Sequence, residues 1–253
     1  MHAMEFLDCN VSYGLDAAGS TMLPVTAMAD LDRHLGRAGV AGAVVWRTEQ
    51  HVGSPVTANA MLADDLRGRE HLHGLWTILP PHTHEVPEPE AMPAHMQANR
   101  IIGWRIFPQR HRYLPRAFVL RDWLQVAVAR RIPLFVNTAH GTRLEDLHEI
   151  LTAFPDLTVV LTYASDWPSD RAYRPFVKDF ANVYIDLTFA ITDGGIESFV
   201  GEYGSSRLLY GSGFPHCYLG ANMLMVRHAE IPAADRTAIA GGNLARIIRE
   251  VRL

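Results

Sequence analysis

The sequence predicts an α/β fold, a single (β/α)₈ TIM barrel in which eight parallel strands alternate with helices. Two observations predict it. Short apolar runs alternate with segments of helical periodicity along the whole chain, and eight such strand and helix pairs can be counted. The 253 residues, of which 48% are hydrophobic, are enough for one large core of the size usual in such barrels. We therefore expect residues 1–253 to form one domain.

The strands are predicted from short apolar runs bounded by turn residues. The run 40–46, VAGAVVW, is almost continuously apolar, as in a parallel strand that is covered on both faces. The predicted strands cover residues 4–10, 40–46, 72–79, 101–107, 133–137, 157–161, 183–187 and 208–210.

The helices are predicted where apolar residues recur with helical spacing. Thr142 and Glu145 predict a capping box, and Asp193 predicts the N-cap of a later helix. The predicted helices cover residues 26–38, 57–69, 91–100, 118–130, 142–154, 168–180 and 193–203, with two more in the tail that start at Pro232 and after Asn243.

Composition excludes several classes of function. Charged residues are 20% of the chain and the formal net charge is -4, so no basic surplus indicates nucleic acid or an anionic membrane as a partner. No apolar run reaches the roughly 18 residues that a membrane span needs, and the N-terminus has no signal-peptide pattern. With Cys9 and Cys217 as the two cysteines, a disulfide framework is not indicated. We expect a soluble, cytoplasmic protein.

The segment 211–216, GSGFPH, predicts where the site lies. It follows the apolar run 207–210 and precedes a helix-length segment, which is how a parallel α/β unit brings flexible backbone and polar groups to the carboxyl end of a sheet. The longest loops, 11–24, 47–55 and 80–93, also follow strands. All of these segments should therefore meet at the carboxyl-terminal face of the barrel.

Six segments, taken in this order, resemble the amidohydrolase family, in its decarboxylase-type branch of the metal-dependent hydrolases. They are FLDCN from Phe6, GWRIFP from Gly103, FPDLTVVL from Phe154, NVYIDLT from Asn182, RLLYGSGFPH from Arg207 and GGNLARII from Gly241. The resemblance implies a barrel that hydrolyses or decarboxylates a small organic compound, and a homodimer as its assembly. It also implies one divalent metal ion, bound by an Asp-x-His-x-His run, by a His ending each of strands 5 and 6, and by an Asp in strand 8.

This chain departs from the family pattern at every metal-ligand position. Asn10 and Ser12 stand at the two His positions of strand 1, Asn137 at that of strand 5, Tyr163 at that of strand 6, and Gly213 at the Asp position of strand 8. None of the five offers an imidazole, thiolate or carboxylate. The sequence therefore predicts no family-type metal and no other cofactor.

The remaining polar residues of the strand ends are candidates for a small-molecule site. Strand parity predicts that Asp8, Asn10, Ser12 and Arg105 face inward. The planar guanidinium of Arg105 suits a carboxylate, although Arg105 could instead pair with Asp8 or Asp186 to neutralise a buried charge. The predicted substrate-binding residues are Asp8, Asn10, Ser12, Arg105, Asn137 and His140.

Three residues are predicted to carry chemistry. His216 could act as a general acid or base, Asp186 could act as a base, and Tyr163 could donate to a developing oxyanion. A structural role for His216, a plug role for Tyr163 and a solvent-exposed loop position for His140 are the alternatives. Cys9, of opposite parity to Asp8, should face the layer between strands and helices as an inert thiol.

Three functions remain open at this point. The first is an amidohydrolase-like barrel with a degenerate, metal-free site that binds or transforms a small organic acid. The second is an active metal-dependent hydrolase or decarboxylase whose site is rebuilt from His82, His84, His140 and His216. The third is a noncatalytic partner of an active paralogue, which predicts that Phe107 and Tyr163 fill the mouth of the barrel.

Overall fold

The computed structural model describes residues 4–15, 24–164 and 170–253. Eight parallel strands are hydrogen-bonded in chain order, and helices alternate with them, which confirms the predicted (β/α)₈ barrel. The strands are β1 Phe6–Tyr13, β2 Val40–Arg47, β3 Leu72–Thr77, β4 Ile101–Arg105, β5 Leu134–Val136, β6 Val159–Leu161, β7 Val183–Asp186 and β8 Leu208–Leu209.

Helices pack around this sheet on its outer side, and two of them are short turns that directly follow strands β2 and β4. The helices of the described residues are α1 Met28–Ala38, α2 Glu49–Val52, α3 Pro55–Asp65, α4 Met92–Ala98, α5 Pro108–His111, α6 Ala117–Arg130, α7 Leu144–Ala153, α8 Asp170–Asp179, α9 Gly195–Tyr203, α10 Leu219–His228, α11 Ala233–Thr237 and α12 Asn243–Glu250. A 3₁₀ turn, Thr138–His140, follows β5. Within the part of the chain that the structure describes, no helix has the length and apolar character that crossing a membrane requires.

Backbone hydrogen bonds between the first strand and the segment after the last one close the barrel. The Cys9 N–H donates to the Tyr210 carbonyl at 2.9 Å, and the Ser12 N–H donates to the Phe214 carbonyl at 2.9 Å. The Gly213 N–H returns a bond to the Asn10 carbonyl at 3.0 Å. The residues after β8 therefore lie beside the end of β1, so the first and last strand ends contribute to one site.

Two apolar layers fill the molecule. A large cluster lies between strands and helices, where Trp104 of β4 packs against Trp123 of α6 with ring centroids 5.0 Å apart. A smaller interior cluster fills the barrel with Cys9, Val44, Trp46, Leu75, Ile102, Phe107, Phe135, Val160, Tyr184 and Leu209, together with Leu244 and Ile247 of the last helix. The barrel interior is thus a packed core with side chains filling it.

The strand-parity prediction for Cys9 is wrong. Cys9 belongs to the interior cluster and not to the layer between strands and helices. The register of β1 against β2 shifts between Asp8 and Val11, as at a β-bulge, so the alternation of side chains is interrupted there. The Cys9 thiol is fully buried, and burial raises its pKa. Both observations agree with the prediction that this thiol is inert.

Two predicted helix caps are also wrong. The N-cap of α7 is Arg143, whose backbone N–H donates to Asp146 Oδ2 at 3.2 Å, and the Thr142 hydroxyl is buried without a hydrogen-bond partner among the described residues. Besides accepting from Arg143, the Asp146 carboxylate forms an ion pair with Arg116 at 2.9 Å. Helix α9 is preceded by Gly194 at φ 68° in place of Asp193. Most of the predicted loop 11–24 and the start of the predicted helix 168–180 lie outside the described residues.

Candidate functional site

Arg105, at the end of β4, is a buried cation. Its side chain is 1% exposed, and its guanidinium lies over the Trp46 ring, with Cζ 4.4 Å from the ring centroid. Nη1 donates to Asn10 Oδ1 at 3.3 Å and Nη2 donates to Thr162 Oγ1 at 3.2 Å. Nε has no hydrogen-bond partner among the described residues. Burial lowers the pKa of Arg105 to about 10, which leaves the group charged at neutral pH.

Asn10 connects this cation to a carboxylate. Its Nδ2 donates to Asp186 Oδ2 at 2.9 Å and to Thr188 Oγ1 at 3.2 Å, while its Oδ1 accepts from Arg105. The sequence left open a direct pairing of Arg105 with Asp8 or Asp186. Among the described residues, the side-chain hydrogen bonds of Arg105 go instead to the neutral groups of Asn10 and Thr162, and the charge of Asp186 acts on Arg105 without direct contact. The amide of Asn10 lies between the cation and Asp186.

Asp186, at the end of β7, is fully buried and well supplied with donors. Its Oδ1 accepts from the Tyr163 N–H at 2.8 Å, and its Oδ2 accepts from the Thr188 hydroxyl at 2.6 Å as well as from Asn10. Burial raises the pKa of Asp186, and these hydrogen bonds to the charged form oppose that shift. The predicted catalytic carboxyl is therefore held rigidly at the mouth.

Asp8 lies between the first and last strands. Its Oδ1 accepts from the backbone N–H groups of Asn10 and Ser212, each at 3.0 Å, whereas Oδ2 is buried without a partner among the described residues. Burial raises the pKa of Asp8 to about 7. The carboxyl thus holds the segment after β8 against β1 and changes its charge near neutral pH.

The other positions that correspond to the family's metal ligands make local contacts. Ser12 Oγ lies 3.5 Å from the Phe214 carbonyl, and Asn137 Oδ1 accepts from the Ala139 N–H at 2.9 Å as the cap of the turn after β5. Tyr163 adopts φ 59°, its ring packs 5.3 Å from that of Phe189, and burial raises the pKa of its phenol. Of these three side chains, Tyr163 also lies close enough to Arg105 and Asp186 for their charges to act on its phenol.

Gly213 has no room for a side chain. Its φ is +68°, and a Cβ at this position would overlap Thr188 Cγ2 and lie 3.1 Å from Tyr163 Cε1. An aspartate, as in the family pattern, could not be accommodated without a backbone change and movement of these two neighbours.

An aromatic cluster surrounds Phe107, just beyond Arg105. The Phe107 ring lies 5.4 Å from Trp46, 4.9 Å from His51, 4.9 Å from His140 and 5.9 Å from His111. We call these five residues the aromatic cluster. It brings together the turns that follow β2, β4 and β5, so it stands at the carboxyl-terminal face beside the buried cation.

The three imidazoles of the aromatic cluster are held in their neutral form. Burial, with the nearby Arg105, lowers the pKa of His140 to about 2. Burial also lowers the pKa of His111 to about 4, and it lowers the pKa of His51. The Nδ1 of His140 is buried without a hydrogen-bond partner among the described residues, so His140 is not the solvent-exposed loop residue that the sequence also allowed.

Sequence reasoning missed Trp46, His51 and His111. Each lies at the end of a strand or in the turn that follows it, and the loop 47–55 was already assigned to the correct face of the barrel. The inward parity of Trp46 in β2, two residues after Val44, is the one signal that could have identified it. The two imidazoles converge through short helical turns, which the periodicity of so few residues does not predict.

His216 and the paired histidines of the loop after β3 lie at the surface. The His216 N–H donates to the Gly213 carbonyl at 3.0 Å, and its side chain is exposed. His82 and His84 are exposed, and His84 Nδ1 lies 2.9 Å from Glu88 Oε1. Among the described residues, no group of three or more His, Cys, Asp or Glu side chains is placed to bind a metal ion, so these histidines do not form the rebuilt site.

A separate cavity of about 300 Å³ lies outside the barrel, beside α8 and α9. Tyr173, Arg174, Leu187 and Phe199 are among its lining residues, and none of the predicted site residues lines it. Its wall is mostly apolar and carries no buried unpaired cation or carboxylate among the described residues. The buried polar residues predicted for the site therefore lie at the strand ends and do not line this cavity.

The sequence matches a known protein family over most of its length: residues 13–249 match the family model described as Amidohydrolase. No curated protein matches the chain.

Several solved structures are similar to the chain, among them three decarboxylases. One is the 5-carboxyvanillate decarboxylase LigW from Sphingomonas paucimobilis, with 14% identity and a TM-score of 0.72 over 98% of this chain and 99% of that chain. Another is a 2,6-dihydroxybenzoate decarboxylase complexed with 2,6-dihydroxybenzoate, with 11% identity and a TM-score of 0.73 over 98% and 100%. The third is a 5-carboxyvanillate decarboxylase from Novosphingobium aromaticivorans complexed with manganese and 4-hydroxy-3-methoxy-5-nitrobenzoic acid, with 12% identity and a TM-score of 0.71 over 98% and 96%.

Proposed function

The chain belongs to the amidohydrolase family, and on that premise we propose that its barrel mouth binds a small organic acid through Arg105 and hydrolyses or decarboxylates it without a metal ion. The observation that carries this proposal is the state of Arg105. It is 1% exposed, its hydrogen-bond partners are neutral, and its Nε is unpartnered within the described residues.

A buried cation that has no carboxylate in direct contact among the described residues is costly, because it has lost water and is balanced by Asp186 only across the amide of Asn10. A carboxylate ligand would supply the missing charge and accept from Nε in a charge-assisted hydrogen bond. The Trp46 ring holds one face of the guanidinium, so the fork is already oriented before a ligand arrives. The decarboxylases to which the chain is similar carry names that describe aromatic acids, which agrees with this ligand chemistry.

The residues at the family's metal-ligand positions do not fit a divalent ion. Both ends of the Asn10 amide are engaged, Asn137 Oδ1 caps a turn, and Gly213 offers no side chain. In addition, the guanidinium of Arg105 is hydrogen-bonded to Asn10, so a metal ion at this position would meet a fixed positive charge. We infer that Arg105 provides the positive charge that a metal ion supplies elsewhere in the family.

The proposed chemistry uses the carboxyls beside the bound acid. Asp8, with a pKa of about 7, can give or accept a proton near neutral pH. Asp186 orients Asn10, and the phenol of Tyr163 stays protonated and can donate to an oxyanion. Asn10, Ser12 and Asn137 would supply hydrogen bonds to the ligand, and His216 would serve proton exchange with solvent.

The proposal is tested by metal analysis and ligand-dependent thermal stability. We expect less than one-tenth of a divalent ion per chain, and a rise in Tm with a panel of small carboxylates that includes benzoate and 2,6-dihydroxybenzoate. Arg105→Gln should lose that rise, whereas Arg121→Gln, an exposed arginine of α6, should keep it. A stoichiometric metal ion, or an equal rise in Arg105→Gln, would overturn the proposal.

A noncatalytic barrel is the second candidate, and the filling of the mouth favours it. Phe107 is fully buried among the other members of the aromatic cluster, and the Tyr163 ring occupies space next to Gly213. This candidate expects no carboxylate to raise Tm in the wild-type protein. It also expects Arg105→Gln to change stability alone, because Arg105 would then be a purely internal group.

A further inference from the structure

The three imidazoles of the aromatic cluster have no role in the proposed binding of an acid. They come from α2, α5 and the turn after β5, and they pack around Phe107 with their ring centroids 4.9 Å to 5.9 Å from it. His51 and His140 also lie against each other, 4.8 Å apart with 31° between the ring planes. Neutral imidazoles at a ligand site are proton acceptors.

We propose that His140 takes up a proton when Arg105 binds the carboxylate of a small acid, and that it returns this proton to the carbon from which carbon dioxide leaves. The inference rests on the proposed function and adds the proton carrier of that site. In this step, the bond between the carboxylate carbon and the ring or chain carbon of the acid breaks. The electron pair of that bond stays on the ring or chain carbon and takes the proton from His140. Carbon dioxide leaves as a neutral molecule.

The position of His140 carries this assignment. Its ring lies 4.9 Å from Phe107 and 6.3 Å from Trp46, and the guanidinium of Arg105 lies over the same Trp46 ring at 4.4 Å. An acid held by Arg105 at this end of the barrel would therefore lie close to His140, because both residues contact Trp46. Its Nδ1 is buried and has no partner among the described residues, so this atom is open to a ligand.

The charges that face His140 couple its protonation to the ligand. Arg105 of β4, His51 of α2 and His216 after β8 each oppose its protonation, and burial opposes it most. Helix α5, which packs on the turn after β5 where Gln109 meets Gly141, adds Arg110 and His111. No carboxylate of the described residues is among the groups that shift its pKa. A bound carboxylate would offset the charge of Arg105, and an anion near an imidazole raises its pKa.

Among the imidazoles of the aromatic cluster, the ring of His140 contacts Trp46 at 6.3 Å, and the guanidinium of Arg105 lies over that same Trp46 ring. The pKa of His111 is lowered by burial and by His51 and Arg110, and Arg105 is not among the groups that act on it. His51 is influenced more by Arg110 than by Arg105. His140 has Arg105 as its leading charged neighbour, so its protonation responds most directly to what Arg105 binds.

The test is calorimetric titration of the full chain with benzoate in two buffers of different ionisation enthalpy, which reports the protons taken up per ligand bound. We expect uptake that grows as the pH falls from neutral toward about 5, where benzoate is still ionised. His140→Gln should bind benzoate but lose more than half of the uptake. His82→Gln, an exposed imidazole outside the site, should behave as the wild type.

The outcomes separate this inference from the proposed function. Binding of benzoate that depends on Arg105, with no proton uptake or with uptake unchanged in His140→Gln, overturns the inference and leaves the proposed function standing. Failure of the wild type to bind any carboxylate of the panel overturns both. If His140→Gln is poorly folded, the pKa of the His140 ring, followed by NMR in the wild type with and without benzoate, decides: it must rise on binding.

Discussion

The two halves of the barrel mouth hold their buried titratable groups in different ways. On the side of β7, β8 and β1, Asp186 and Asp8 accept hydrogen bonds from backbone N–H groups, from Thr188 and from Asn10. On the side of β2, β4 and β5, both ring nitrogens of His111 and the Nδ1 of His140 have no hydrogen-bond partner among the described residues. The acidic half is therefore built into the backbone of the barrel, whereas the imidazole half has hydrogen-bonding capacity to spare.

Burial acts on both halves toward neutrality. It raises the pKa values of Asp8 and Asp186 and lowers those of His51, His111 and His140. Arg105 lies between the halves and keeps its charge. This contrast supports the proposed ligand, because a carboxylate would supply hydrogen-bond acceptors to Arg105, whereas the carboxyls of the acidic half already accept from donors.

Restoring the family's aspartate at Gly213 should have the largest effect. Gly213→Asp should destabilise the protein by about 3 kcal/mol or more, because the side chain requires a left-handed backbone and overlaps Thr188. Denaturant unfolding measures it. Gly220→Asp, where a Cβ meets nothing within 4 Å, is the matched control and should cost less than about 1 kcal/mol. Equal stability of both variants would show that the backbone at Gly213 and the neighbouring Thr188 can move to accommodate a side chain.

Removing the link between the two halves should come next. Asn10→Leu deprives Arg105 and Asp186 of a hydrogen bond each, and should lower the free energy of unfolding by about 2–3 kcal/mol. Gln97→Leu, at an exposed position of α4, is the control. A loss below about 0.5 kcal/mol would mean that Asn10 does not couple the cation to the carboxylate.

Asp8→Asn should stabilise the protein, and only at higher pH. The folded-state pKa of about 7 lies above the ordinary value of 3.8, so the charged form is disfavoured in the folded state and stability is lost as the pH rises through about 7. The uncharged asparagine avoids this loss, by about 1–3 kcal/mol above neutral pH and by little in acid. Thermal unfolding across pH measures it, with Asp193→Asn as the exposed control. A gain that does not depend on pH would contradict the assigned pKa.

The smallest effect should come from the imidazole half in acid. The folded-state pKa of His111, about 4, lies below its ordinary value of 6.5, so the unfolded chain binds a proton first and stability falls as the pH drops from about 6.5 toward about 4. His111→Gln should flatten this decline by about 1 kcal/mol, as measured by chemical denaturation at several pH values. An exposed imidazole, changed in His95→Gln, should leave the decline as it is. An unchanged slope in His111→Gln would contradict the neutral assignment.

The fold and half of the site could be predicted from the sequence because both depend on local patterns. Alternation of apolar runs predicted the barrel, and parity placed Arg105, Asn10 and Asp186 at its mouth, where they meet. Parity failed at Cys9, since a shift of register in β1 interrupts the alternation that the argument assumes. The aromatic cluster could not be predicted, because His51, His111 and His140 converge only through the closure of the barrel and the paths of three short turns.

The most direct test of the central claim, that Arg105 takes the place of a metal ion in binding small acids, is a crystal structure of the chelator-treated protein with 4-bromobenzoate. The bromine atom locates the ligand by anomalous scattering. We expect one molecule of 4-bromobenzoate at the mouth of the barrel. Its carboxylate oxygen should lie within hydrogen-bond distance of Arg105 Nε, and its aromatic ring should lie beside His140. A ligand bound to a metal ion at the strand ends, or lodged only in the cavity beside α8 and α9, would contradict it.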